Sequence, residues 1–221
     1  MKNIPMISIL RANRIYFLLF FMMIAFCTVI LMMYTKSELF FSVNSIVNPN
    51  DQFFKYLTHI GDGLFFCLII VILAFIKFRY AIIGLLCYAI PSLFTQFLKK
   101  NIFHELRPKA FYEGLQNLTL VNGVEVHSLN SFPSGHTTTA FAMFAFLAII
   151  TPNKNYGFLY FILALFVGFS RIYLSQHFLF DVYMGSIIGT LGTLFIFYFV
   201  ERYDWFGKGI FQGRVGKVKE I

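Results

Sequence analysis

The sequence predicts an all-α integral membrane protein: a six-transmembrane-helix bundle with a small extramembrane hairpin in the connection between the third and fourth helices. Three observations lead there. The 221 residues are 58% hydrophobic and 20% aromatic but only 13% charged, about half the charged share usual for a soluble domain. Mean hydropathy is +0.73, concentrated in six apolar stretches. Lysine and arginine gather unequally on the alternating connections between those stretches.

A bilayer core about 30 Å thick needs roughly 20 largely apolar helical residues. The first candidate, 15–35, follows MKNIPMISILRANR; it is longer than a signal-peptide core, no small-x-small cleavage site follows it, and it reads as a retained signal anchor. The second, 57–76, carries His59 and Asp62 near its start and must extend past them to span. The third, 80–98, contains Pro91, which a membrane helix tolerates as a kink. The fourth, fifth and sixth cover 137–152, 156–172 and 182–200. In the long connection 99–136, LTLVNGVEV alternates around Asn122-Gly123, a strong two-residue hairpin signal. The whole chain, 1–221, forms one domain, and 201–221 reads as a polar, partly basic, loosely ordered cytoplasmic tail.

Orientation follows from the flanks. With the N-terminus inside, Lys2, Arg11, Arg14, Lys77, Arg79, Lys154 and the basic residues of the tail face the cytoplasm, outnumbering those outside. Both termini therefore belong in the cytoplasm and the 99–136 connection on the outer face. The formal net charge of +8 raises the question of nucleic acid. The basic residues are scattered between apolar runs and form no stripe with interleaved aromatics, so membrane orientation accounts for them and no nucleic-acid partner is expected. Cys27, Cys67 and Cys87 lie inside apolar runs without metal-ligand spacing and read as packing residues. The 31 phenylalanines read as lipid-facing and packing residues.

This topology delivers three polar clusters to one face of the membrane. The first is KNIFHELRP, with Lys100 and Arg107 flanking six residues and Pro108 restricting the backbone at Arg107; alone it would pass for an interfacial basic patch. The second is Pro133-Ser134-Gly135-His136, where Ser134 and Gly135 stand at a helix start whose free N–H groups suit an anion; its plain reading is an N-cap followed by a chance histidine. The third, SRIYLSQHFLFD, holds Ser170-Arg171, His177 and Asp181. His177 and Asp181 are four apart, so on a helical turn the carboxylate can orient the imidazole; a satisfied interfacial pair is the plain alternative. Asp62 and His59 could support this site, but so near the interface their default reading is solvated, as is that of His104, Glu105, Lys109 and Glu113. His127, at the end of the predicted hairpin, reads as structural.

Taken together the clusters resemble the type 2 phosphatidic acid phosphatase superfamily, whose signature K-x6-RP, PSGH, SR-x5-H-x3-D is matched at every position within a region of about 60–195. The resemblance implies hydrolysis of a lipid phosphate through a phosphohistidine, without a metal or other cofactor. His177 would be the nucleophile, Asp181 would orient it, and His136 would serve as acid and then base. Lys100, Arg107, Arg171, Ser134 and the N–H of Gly135 would hold the phosphate oxygens. It further implies a bacterial inner-membrane protein with its site on the outer face. The substrates the family offers are undecaprenyl diphosphate, lipid A, phosphatidylglycerol phosphate and phosphatidic acid, with an outward site favouring the first two. Two other classes stay open: a non-catalytic lipid-phosphate binder or transporter, and a vanadium haloperoxidase, which the membrane content disfavours. Oligomeric state is left open.

Overall fold

The computed structural model describes residues 5–213 and 215. Polar caps and chain breaks divide the apolar runs into ten helices: α1 Met6–Ala12, α2 Arg14–Met33, α3 Lys36–Asn44, α4 Phe53–Leu57, α5 Gly63–Ile76, α6 Phe78–Asn101, α7 Pro108–Phe111, α8 Gly135–Ile150, α9 Tyr156–Tyr173 and α10 Leu179–Arg202. A 3-10 turn, Thr58–Gly61, continues α4, and a second covers Gly209–Gln212. Thr35 and Glu38 form a reciprocal capping box that starts α3. α6 runs unbroken through Pro91.

Each of the six predicted stretches is helical, but they do not cross a bilayer equally well. α2, α6, α9 and α10 are long and apolar enough, and the pair Phe53–Gly61 with Gly63–Ile76 qualifies only jointly, bent by 57° at Asp62. α8, with 16 residues, reaches about 24 Å at 1.5 Å per residue. The described residues therefore hold four candidate spans, or five counting the bent pair, and not the six expected.

α8 is the axis of the bundle. Every residue from Thr137 to Phe146 is buried, enclosed by α6, α9 and α10. Small residues permit that closeness. On α10, a Cβ at Gly185 would stand 2.6 Å from the carbonyl oxygen of Ser134, and one at Gly189 would press on Thr138 O and come within 2.9 Å of Ala142 N. In contrast, α2 is mostly uncovered, with Leu18, Phe26 and Met32 open to the surroundings, as a helix against lipid should be.

The described residues contain no strand, so the expected hairpin is not formed. The turn at Asn122-Gly123 is present, closed by Val124 N–H donating to Val121 O at 3.3 Å. The flanking backbone, however, bonds elsewhere. Thr119 pairs with the side chain of Asn44 through both its N–H and its carbonyl. Asn122 N–H donates to Pro49 O at 2.7 Å, and Glu125 O accepts from Gln176 Nε2 at 2.7 Å. Groups that would have closed a ladder are satisfied by other parts of the outer surface.

The tail also differs from expectation. Beyond α10 the chain folds back, with Phe78 N–H donating to Gly213 O at 2.9 Å and Val215 N–H to Ala74 O at 3.1 Å, while Arg79 pairs with Glu201 at 2.6 Å. It is packed rather than loose as far as Gly213; 216–221 lie outside the described residues.

Candidate active site

The C-terminal ends of α6 and α9, the N-terminal end of α8, the α9–α10 connection and the 3-10 turn before α5 surround one cavity of about 740 Å³. The chain segments holding it are pinned by backbone bonds. Arg107 N–H donates to Ser128 O and Ser131 N–H to Glu105 O, at 2.9 and 3.0 Å, stitching the first polar cluster to the approach of the second. Ser134 N–H donates to Asp181 O at 3.0 Å, stitching the second to the third.

His177 is 1% exposed and sits in a tight turn. The N–H groups of Gln176 and His177 both reach Arg171 O, and Ser175 adopts a left-handed φ of 54° to make the corner. Its Nδ1 lies 3.4 Å from Asp181 Oδ2. That contact lacks hydrogen-bond geometry, and Nδ1 has no other partner. His177 precedes α10, so the pair meets across the start of the helix instead of along one face as the four-residue spacing suggests. The carboxylate is held firmly: Oδ2 accepts from Ser131 Oγ at 2.5 Å and from Phe178 N–H at 2.9 Å. Burial first, and then the positive charges of Lys99, Arg107 and Arg171, hold the His177 imidazole well below its usual range. At neutral pH the ring is therefore uncharged, with a lone pair to offer.

Arg171 is buried; one guanidinium nitrogen donates to Thr58 Oγ1 at 2.5 Å and Nε has no protein partner. Arg107 donates to Leu129 O and to Gln176 Oε1 at 2.9 and 2.7 Å. The third cation is not the expected one. Lys100 is exposed and outside the cavity, whereas Lys99 is 6% exposed and lines it. Helical phase is the reason. α6 is still regular at its C-terminus, so Lys99 shares the buried stripe of Cys87, Pro91 and Thr95, and the next residue is turned about 100° away.

Gly135 and His136 line the cavity; a Cβ on Gly135 would be 3.9 Å from Lys99 Nζ. Ser134 is fully buried and does not line it. Its hydroxyl caps α8, accepting from Thr137 N–H at 3.5 Å, and also accepts from Thr137 Oγ1 at 2.8 Å. His136 Nε2 lies 2.7 Å from Asp62 Oδ1, and Asp62 Oδ2 lies 2.8 Å from His59 Nδ1. The default reading of Asp62 as merely solvated is thus corrected, whereas His59, bonded to Asp62, stays exposed. The available signal was an acid inside an apolar stretch. His127, too, lines the cavity. Among the described residues no group of three or more His, Cys, Asp or Glu stands together as a metal site.

The arrangement can grip a multiply charged anion with three cations and a helix N-terminus, and present to it one neutral imidazole and one imidazole hydrogen-bonded to a carboxylate. The chain is similar to several known proteins. The bacitracin transport permease protein BcrC of Bacillus licheniformis is 39% identical over 88 residues, 39% of this chain and 42% of that protein. Phosphatidylglycerophosphatase B of Bacillus subtilis is 30% identical over 162 residues, 67% of this chain and 72% of that protein. The crystal structure of Aquifex aeolicus LpxE superposes with a TM-score of 0.64 at 25% identity, covering 73% of this chain and 93% of that one. The chain spans between 38% and 51% of the length of the first curated relatives it matches. The PAP2 superfamily model matches residues 80–205, more than half of the sequence, and the chain belongs to that superfamily.

Proposed function

We propose that the protein is a metal-independent membrane lipid phosphatase acting through a phosphohistidine on a phosphate or diphosphate ester of an envelope lipid. The observation that carries this reading is the buried, uncharged His177 beside the Asp181 carboxylate and among Lys99, Arg107 and Arg171. Phosphoryl transfer depends on positioning and charge stabilisation, and three cations supply what a metal supplies elsewhere.

In the first step the free lone pair of His177 attacks phosphorus as the bond to the lipid oxygen breaks, and His136 gives that oxygen a proton. In the second, His136 takes a proton from water, the resulting hydroxide attacks phosphorus, and the P–N bond breaks to return the electron pair to His177. Asp181 orients the nucleophile and balances its positive charge while it carries the phosphoryl group.

The shape of the cavity supports an amphiphilic substrate. It follows α6 from Lys99 through Gln96 and Ser92 to Tyr88 and Leu93, about 16 Å along the helix axis between Lys99 and Tyr88, and Leu93 is 69% exposed on the lipid side. A phosphate can sit at His177 with its tail still in the bilayer. The excess of basic residues on the inner connections supports a site on the outer face of a bacterial inner membrane with both termini in the cytoplasm. Undecaprenyl diphosphate and lipid A fit that side, and a relative named phosphatidylglycerophosphatase B keeps glycerophospholipids in the panel.

A second reading, lipid-phosphate transport without catalysis, has the name of the Bacillus licheniformis relative in its favour. Binding alone would need the cations but not His177, Asp181 and His136 together. The test is phosphate release by the purified protein in detergent from undecaprenyl diphosphate, lipid A, phosphatidylglycerol phosphate and phosphatidic acid, with and without EDTA, alongside His177→Ala. Release that survives EDTA and vanishes in a folded His177→Ala protein is expected. No release from any lipid, or undiminished release by the variant, refutes the proposal.

A further inference from the structure

We propose that Asp62 is a positioning residue for the second histidine of the site: its carboxylate holds His136 at Nε2, so that the proton passes to and from the reacting oxygens at Nδ1. This rests on the hydrolase reading above and adds to it a residue that lies outside the signature and outside the 80–205 match.

The geometry around Asp62 is that of a built contact. Asp62 is the N-cap of α5, a position where an aspartate ordinarily accepts a hydrogen bond from the N–H groups of the first turn. Here its side chain makes no such bond. Both carboxylate oxygens go to imidazoles, Oδ1 to His136 Nε2 at 2.7 Å and Oδ2 to His59 Nδ1 at 2.8 Å. The backbone that carries it is also pressed into place. A Cβ on the preceding Gly61 would lie 2.7 Å from Val167 Cγ1 and 3.0 Å from His136 O, so this glycine lets the 3-10 turn lie directly on the start of α8. The 57° bend between the turn and α5 occurs at the same point and turns the carboxylate into the cavity, which Asp62, His59 and His136 all line.

A carboxylate on one nitrogen of an imidazole fixes the tautomer and ring orientation and favours the charged ring that must form or be present during proton transfer. The site would then contain two carboxylate–imidazole pairs with opposite tasks. Asp181 accompanies the uncharged nucleophile, and Asp62 accompanies the acid. Nδ1 of His136 takes no hydrogen bond from any described residue and is the atom left to act. In the first step its proton moves to the lipid oxygen as the P–O bond breaks; in the second it recovers a proton from the attacking water, so Asp62 ends as it began. His59, exposed at the mouth, balances the other oxygen of Asp62.

The experiment compares wild type with Asp62→Asn on two amphiphiles of equal chain length, an alkyl phosphate and a nitrophenyl phosphate carrying the same alkyl chain. The alkoxide leaving group needs a proton in the transition state; the nitrophenolate does not. For Asp62→Asn, kcat/KM, which reports only the steps up to loss of the leaving group, is expected to fall about 10- to 100-fold on the alkyl ester and by no more than about 3-fold on the nitrophenyl ester. The ratio of the two rates within one preparation is independent of the folded fraction, so partial misfolding cannot imitate the result. Equal losses of kcat/KM on both esters, or no loss on either, would overturn the role of Asp62 while leaving the hydrolase reading intact. Wild type inactive on both esters and on the lipid panel would instead remove the hydrolase reading on which it rests.

Discussion

Replacing Lys99 by methionine, with Lys100→Met as the paired control, separates the tertiary structure from the spacing of the motif. The two lysines are adjacent in sequence, yet Lys99 is 6% exposed and lines the cavity while Lys100 faces outward. A cation about 4 Å from a phosphate oxygen in a partly buried site interacts with it by about 4 kcal/mol at an effective dielectric constant near 20, and by about 1 kcal/mol in bulk water. Arg107 and Arg171 remain in the variant and recover part of the loss. The net cost for Lys99→Met is then about 2–4 kcal/mol of transition-state stabilisation, roughly 30- to 1,000-fold in kcat/KM. Lys100→Met should change it by no more than about 3-fold, as expected for a solvated charge. Methionine keeps the stem and removes one of three mutually repelling cations, so the melting temperature of Lys99→Met in detergent should hold or rise. The assay is phosphate release from the best lipid of the panel, with melting curves on the same preparations. A large loss for Lys100→Met beside a near-normal Lys99→Met would refute the assignment and return the role to the residue that the spacing indicates.

Two further outcomes follow from the geometry. His177 has an ordinary unfolded value near 6.5 and a folded value well below it, so above about pH 6.5 its protonation makes no difference to stability. As pH falls below that value the unfolded chain takes up a proton that the folded chain refuses, and stability is lost; melting temperature between about pH 6.5 and 5 should therefore decline less steeply in His177→Ala than in wild type, and equal slopes would contradict the buried neutral ring. At the α8–α10 contact, Gly189→Ala places a methyl against the backbone of Thr138 and Ala142, while Gly192→Ala meets only the ring carbons of Pro91, at 3.0 and 3.6 Å. Overpacking of the first kind costs about 1–3 kcal/mol, so thermal melts should show Gly189→Ala clearly destabilised and Gly192→Ala the milder of the two; the reverse order would show that the helices do not approach as described.

The local chemistry of the chain was sufficient for some features and not for others. Apolar length located the six helical stretches, because the bilayer imposes its thickness on each segment separately. The order of PSGH and of Ser170-Arg171, His177 and Asp181 along the chain placed their residues at one end of the bundle, because alternate connections of antiparallel helices meet there. Which lysine turns inward was decided by the phase of α6, set by a register that an intact helix carries from Phe78 to Asn101. The hairpin signal at Asn122-Gly123 was strong locally and still lost, because Asn44, Pro49 and Gln176 compete for the same backbone groups from distant parts of the chain. Asp62 is the clearest case. Its sequence neighbours describe an N-cap at the membrane surface, and its partner His136 lies in another helix, brought within hydrogen-bond reach by a close approach at Gly61. Segment identity, which each stretch settles with its solvent, belonged to the sequence alone; side-chain partnership is a relation between stretches, and it existed only once the helices were packed.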